Sequence, residues 1–167
     1  DSNLGNTTGA LTLNGGNLTV TGATTIDNTV TLSSNATVTN SADATLSGVI
    51  SGANNLTKAG ASTLTLTGTN TYTGTTTVTG GTLSVSADSN LGNTTGALTL
   101  NGGNLTITGA TTIDNTVTLT SNATVTNSAD VTLSGVISGG NNLTKAGANT
   151  LTLTGTNTYT GTTTVNA

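Results

Sequence analysis

Apolar and polar residues alternate with a period of two in short runs along the whole chain. Ala10-Leu11-Thr12-Leu13, Leu18-Thr19-Val20-Thr21, Val30-Thr31-Leu32, Thr63-Leu64-Thr65-Leu66-Thr67 and Leu83-Ser84-Val85-Ser86 all follow this pattern. A strand points successive side chains to opposite faces, so each run reads as a strand with Leu, Val or Ile inward and Thr or Ser outward. The runs are separated by Asn14-Gly15-Gly16-Asn17, Ser33-Ser34-Asn35 and Gly80-Gly81, residues suited to tight corners. The parity of the inward set shifts across such corners: Leu11 and Leu13 are odd, Leu18 and Val20 even. A straight strand cannot keep both pairs on one face, so the chain bends there. Helical spacing of apolar residues is missing, and Gly, Thr and Asn are poor helix formers, so no helix is expected.

The pattern recurs at two scales. Positions 88–167 repeat positions 1–80 at an offset of 87, with 73 of 80 residues identical. The seven changes are Val20/Ile107, Ser33/Thr120, Ala44/Val131, Ala53/Gly140, Ser62/Asn149, Thr79/Asn166 and Gly80/Ala167. Inside each repeat, two-strand units return about every twenty residues, as in Val78, Leu98 and Val117, spaced by 20 and 19. Fixed-period repetition marks a quasi-one-dimensional fold. The expected architecture is all-β, a right-handed parallel β-solenoid with about four coils per 87-residue repeat and uncapped ends. Residues 1–87 form the first unit and 88–167 a second, truncated one, in a single continuous solenoid. With strands ~4.8 Å apart, one repeat advances ~19 Å and the chain ~38 Å. Two immunoglobulin-like sandwiches of about this length are the alternative fold, but those lean on buried aromatics that this chain lacks.

Composition supports the solenoid. The chain has 47 Thr, 23 Gly and 22 Asn, with no Pro, Cys, Met, Trp, Phe, His, Glu or Arg, and its only aromatics are Tyr72 and Tyr159. A core without Phe or Trp fits narrow layers of equal volume. Without cysteine there is no disulfide framework. Two Lys against six Asp give a net charge of −4, which argues against nucleic acid and anionic membrane surfaces as partners. No apolar run approaches the ~20 residues of a spanning helix, and no signal peptide is visible. The second copy stops seven residues short of completion, which reads as a piece of a longer array.

One stretch is more specific. Leu56-Thr57-Lys58-Ala59-Gly60-Ala61-Ser62-Thr63-Leu64-Thr65-Leu66-Thr67-Gly68 continues through Asn70, Tyr72, Gly74, Thr76 and Val78 to Gly81-Thr82-Leu83. It closely resembles the passenger-associated transport repeat, also called the autotransporter-associated β-strand repeat. The second copy begins at Leu143-Thr144-Lys145 and carries Asn157, Tyr159, Gly161 and Val165. Ser62 and Asn149 stand where the family has Gly, and Gly74-Thr75-Thr76 replaces its Gly-Gly-Thr step. The resemblance implies a surface or secreted protein of a Gram-negative bacterium, exported by a type V route, with a right-handed parallel β-helix passenger. The family's outer-membrane barrel would lie outside this segment.

Candidate chemistry is sparse. Asp1, Asp27, Asp43, Asp88, Asp114 and Asp130 are the acids, and Asp27 and Asp43, 16 residues apart, could form a carboxylate pair on neighbouring coils. Their setting in Ile26-Asp27-Asn28 and Ala42-Asp43-Ala44 reads instead as solvated turns. One acid per coil falls short of a calcium array. Asn6, Asn17, Asn35 and Asn55 head glycosylation triplets that arise by chance in so Asn- and Thr-rich a chain. Lys58 and Lys145 read as solvated strand ends, and Tyr72 and Tyr159 as covers over a coil edge. Thr63-Leu64-Thr65-Leu66-Thr67 and Thr75-Thr76-Thr77 have the letters of an ice-binding Thr-x-Thr face, but Asn14, Ser33, Ser34 and Ser84 are expected to break it on neighbouring coils. No catalytic, cofactor or metal residue is assigned. The expectation is a non-enzymatic stalk or fibre segment at the cell surface or outside the cell, partnered by adjacent repeats, by copies of itself end to end, or by surface glycans. A carbohydrate- or ice-binding module using outward Thr and Asn ladders is the alternative.

Overall fold

A computed structural model describes Leu4 and residues 9–166. Every strand pair in it is parallel and joins residues 19 to 22 apart in sequence. The chain therefore winds as a β-solenoid, and eight coils follow in order.

Strands β1 (Leu11–Leu13), β2 (Asn17–Val20) and β3 (Thr24–Ile26) make the first coil. The second holds β4 (Val30–Leu32), β5 (Ala36–Asn40) and β6 (Ala44–Leu46), and the third β7 (Ile50–Gly52), β8 (Leu56–Ala59) and β9 (Thr63–Leu66). In the fourth coil a non-strand segment precedes β10 (Thr76–Val78) and β11 (Thr82–Val85). In the fifth a 3-10 turn, Asp88–Leu91, precedes β12 (Leu98–Leu100) and β13 (Asn104–Ile107). The sixth is β14 (Thr111–Ile113), β15 (Val117–Leu119) and β16 (Ala123–Asn127), and the seventh β17 (Val131–Leu133), β18 (Ile137–Gly139) and β19 (Leu143–Ala146). The eighth runs from β20 (Leu151–Leu153) to β21 (Thr163–Val165).

These coils stack into three faces. One is a seven-stranded sheet from β2 to β18, and another an eight-stranded sheet from β3 to β21. The third consists of β1-β4-β7 and β14-β17-β20, bridged by the segments around Tyr72 and Leu91. The bridge is hydrogen-bonded: Thr71 N donates to Ile50 O at 2.8 Å, and Asn93 N to Tyr72 O at 2.9 Å. Among the described residues the 3-10 turn is the one helical element, and it sits where the second copy begins.

Register turns the alternation into columns. Ile26, Leu46, Leu66, Val85 and Ile107 lie one above another inside the eight-stranded sheet. Each is at most 3% exposed, and burial of such a side chain stabilises by roughly 1.5–3 kcal/mol. Outside, Thr25, Thr45, Thr65, Ser84 and Thr106 form the matching hydroxyl column. The seven- and eight-stranded sheets run through the copy boundary without a break, so the two units form one solenoid. The step there is longer than the sequence spacing suggests: Val78 pairs with Leu100, and Leu98 with Thr76, a stride of 22. The extra residues are accommodated around the 3-10 turn.

Candidate functional site

The residues that distinguish the Lys58–Leu83 stretch from the plain two-strand units collect in the core and at the edges of the third, fourth and fifth coils. Alternation through Leu56-Thr57-Lys58 turns Lys58 inward, into the column Val38–Lys58–Val78. Its side chain is fully buried. The ammonium donates to the carbonyls of Ala59 at 2.9 Å, Gly60 at 2.8 Å and Gly80 at 3.0 Å. The first two belong to its own corner and the third to the next coil. Burial lowers its pKa from 10.5 to about 8, so at neutral pH it is protonated and all three N–H groups are spent on carbonyls. The solvated strand end expected from the sequence is thus an interior clamp between coils. Lys145 repeats the geometry, donating to Ala146 O at 3.3 Å and to Gly147 O. The position matching Gly80 is 167, outside the described residues, and Lys145 is partly exposed.

Tyr72 also lies inside rather than over an edge. It is fully buried, and its hydroxyl meets Thr76 Oγ1 at 2.6 Å. Burial pushes its pKa up to about 12, partly offset by the Thr76 hydrogen bond. The reason is local: the third face has no strand in these coils, and the ring fills the gap. Gly92 lies against it with φ +80°, where an added Cβ would come within 3.0 Å of the ring. Only glycine combines that conformation with that approach. Asn70 and Asn90 replace the missing ladder. Asn70 Oδ1 accepts from Ile50 N at 2.7 Å and its Nδ2 donates to Asn90 O at 2.6 Å. Asn90 Oδ1 accepts from Ser86 N and Ala87 N, both at 2.9 Å, and its Nδ2 donates to Gly68 O at 3.0 Å. Tyr159, in the eighth coil, keeps the hydroxyl contact to Thr163 at 2.6 Å but stays partly exposed.

The acids do not converge. Asp27 follows β3 and bonds the Ser47 hydroxyl, whereas Asp43 precedes β6 on a different edge and accepts from Thr63 N at 2.8 Å. Asp114 and Asp130 repeat these roles with Ser134 and with Thr150 N. Asp88 accepts from Asp114 N at 3.0 Å. Each of these carboxylates holds a group on another coil. Among the described residues no three of His, Cys, Asp and Glu gather in one place. Asn35 and Asn55 likewise accept from Asn55 N and Thr75 N on the coil above, and Asn17 is exposed at the start of its strand. Asp1 and the Asn6 triplet lie outside the described residues.

The threonine rows align better than the spacing suggested. Thr37, Thr57, Thr77, Thr99 and Thr118 form an unbroken outward column of five, flanked by Asn17 and Ser138. Asn14, Ser33 and Ser34 sit at corners outside it, and Ser84 belongs to another face.

This arrangement defines a parallel β-solenoid in which Lys58, Asp27, Asp43, Asn55 and Asn70 each bond a neighbouring coil. A family model described as Passenger-associated-transport-repeat matches residues 56–85, 95–115 and 143–167. These stretches are passenger-associated transport repeats, and the chain is a solenoid that carries three of them. The first and third contain the Lys, Asn and Tyr already described. The second covers β12 to β14, which lie outside the Lys-Asn-Tyr stretch that carried the resemblance. Neither the curated proteins nor the solved structures yielded a match to the chain.

Proposed function

We propose that the chain is a stalk segment of a secreted or surface-anchored autotransporter passenger, and that its role is mechanical. The observation that carries the reading is the unbroken parallel pairing from β10 into β12 and from β11 into β13, across the copy boundary. Such pairing lets copies add length while the cross-section stays constant, and the load is shared by main-chain bonds that run along the axis. Lys58 from the core, and Asp43 and Asn55 from the corners, bond successive coils, which suits a shaft assembled coil by coil. Adhesin stalk and surface filament are both compatible with this role, and a Gram-negative outer membrane is its natural setting. The test places the segment between a surface tag and an outer-membrane anchor and changes the number of 87-residue copies. The tag's height above the cell, measured by atomic force microscopy, should scale with copy number. A height indifferent to copy number would overturn the reading.

A second reading draws on the threonine column. Five aligned threonines, uncharged and half-exposed, present methyl and hydroxyl groups in register, suited to ice or another ordered hydroxylated surface. Thermal hysteresis by the chain, abolished by Thr77→Lys, would support it; no hysteresis at high concentration would refute it.

A further inference from the structure

The two copies do not occupy equivalent faces of the shaft. β2 lies in the seven-stranded sheet, yet its copy β13 lies in the eight-stranded one. β1 and its copy β12 are likewise on different faces, as are β3 and β14. The register explains why. Four coils take 82 residues on one face, from Asn17 through Thr37, Thr57 and Thr77 to Thr99. The five residues left of the 87 carry the chain round the next corner, to Asn104.

From this we infer that the 87-residue repeat is a screw of four and one-third coils, and that each added copy turns whatever it carries by one third of a revolution. The advance is ~21 Å per copy, and the starting azimuth returns after three copies, about thirteen coils or ~62 Å. The number of copies therefore sets the direction in which a following domain faces as well as its distance.

The same screw governs the interaction surface. Val49, at 39% exposure, and its copy Val136, at 36%, are the large apolar side chains left in the open away from the two ends. Val49 lies on the edge that enters β7, and Val136 on the edge that enters β18, one corner further round. These valines climb the shaft as a spiral and do not merge into an apolar stripe, which keeps the shaft from presenting a sticky side. A partner gripping two neighbouring copies must wrap around the shaft, while one lying straight along it meets only every third copy.

Spin labels test the screw. Cysteines replace Val49 and Val136 in one protein, and Val49 and Ser128 in another. Ser128 and Val49 share an edge four coils apart, by the register Leu46–Leu66–Val85–Ile107–Asn127. A face spans roughly 20 Å and four coils rise ~19 Å. The Val49–Val136 distance from pulsed electron resonance should be about 28 Å and the Val49–Ser128 distance about 20 Å. Coincident distances, or a shorter Val49–Val136 pair, would overturn the screw. A second measurement does not depend on label geometry: a disulfide between Thr77→Cys and Thr99→Cys should close on mild oxidation, since these residues are register neighbours. Failure of that bond in a folded protein would also refute the screw.

Discussion

Replacing Lys58 by Met separates the clamp from the packing. Methionine keeps the aliphatic stem in the Val38–Lys58–Val78 column and removes only the ammonium. The carbonyls of Ala59, Gly60 and Gly80 then lose their donor. A hydrogen bond from a charged donor contributes about 1.5–3 kcal/mol, and a buried carbonyl left without one costs ~1–3 kcal/mol. Relief of the buried charge offsets several kcal/mol of that sum. The expected net loss is about 2–3 kcal/mol at pH 7, read as a lower urea midpoint at unchanged slope. Lys145→Met provides the control, because Lys145 contacts two carbonyls and is partly exposed; its loss should stay below about 1 kcal/mol. The pH dependence adds a separate signature. Lys58 has its pKa lowered in the folded chain to about 8, from 10.5. Between these values the unfolded chain binds more protons than the folded one, so stability rises with pH across that window. The neutral amine still offers two N–H groups to the carbonyls, whereas methionine offers none. Lys58→Met should therefore abolish the rise as well as lower stability at pH 7. Equal midpoints for the two variants, or a Lys58→Met protein more stable than its parent, would refute the clamp.

Further substitutions probe the same coils. Tyr72→Phe strands the buried Thr76 hydroxyl and should cost about 1–2 kcal/mol by urea denaturation, against a few tenths for Tyr159→Phe. Gly52→Ala places a Cβ 2.4 Å from Leu32 O at φ +117° and should cost more than about 2 kcal/mol, whereas Gly16, with open space around it, should accept alanine within ~0.5 kcal/mol. Asn90→Ala removes the acceptor of two backbone N–H groups, and hydrogen exchange at Ser86 and Ala87 should accelerate at least tenfold.

Much of the fold was legible because the period of two and the twenty-residue recurrence are enforced by the backbone itself. Leu64, Leu66, Leu83 and Val85 could be placed inward from parity alone. Parity also held the answer for Lys58, two residues after the inward Leu56, but a charged residue at an inward position reads as solvated until its carbonyl partners are seen. Those partners come from corner backbone, which leaves no residue-type signal. Tyr72 was misjudged for a related cause: its burial depends on a face without a strand and on the next coil, whose Gly92 lies against the ring. The one-third turn per copy comes from the seven residues by which 87 exceeds four strides of twenty; the stride of 22 from Val78 to Leu100 shortens that remainder to five. Hydrophobic spacing had matched Val78 to Leu98, because Thr76 faces inward despite its hydroxyl. Asp27 and Asp43 read as solvated turns; both sit at corners, where each also bonds a neighbouring coil.

The shaft is one column of parallel coils that continues through the copy boundary. Small-angle scattering from chains of two, three and four copies tests this most directly. The expected result is a constant cross-section and a length that grows by about 21 Å per copy. A cross-section that widens with copy number, or compact beads whose separation varies from molecule to molecule, would contradict it.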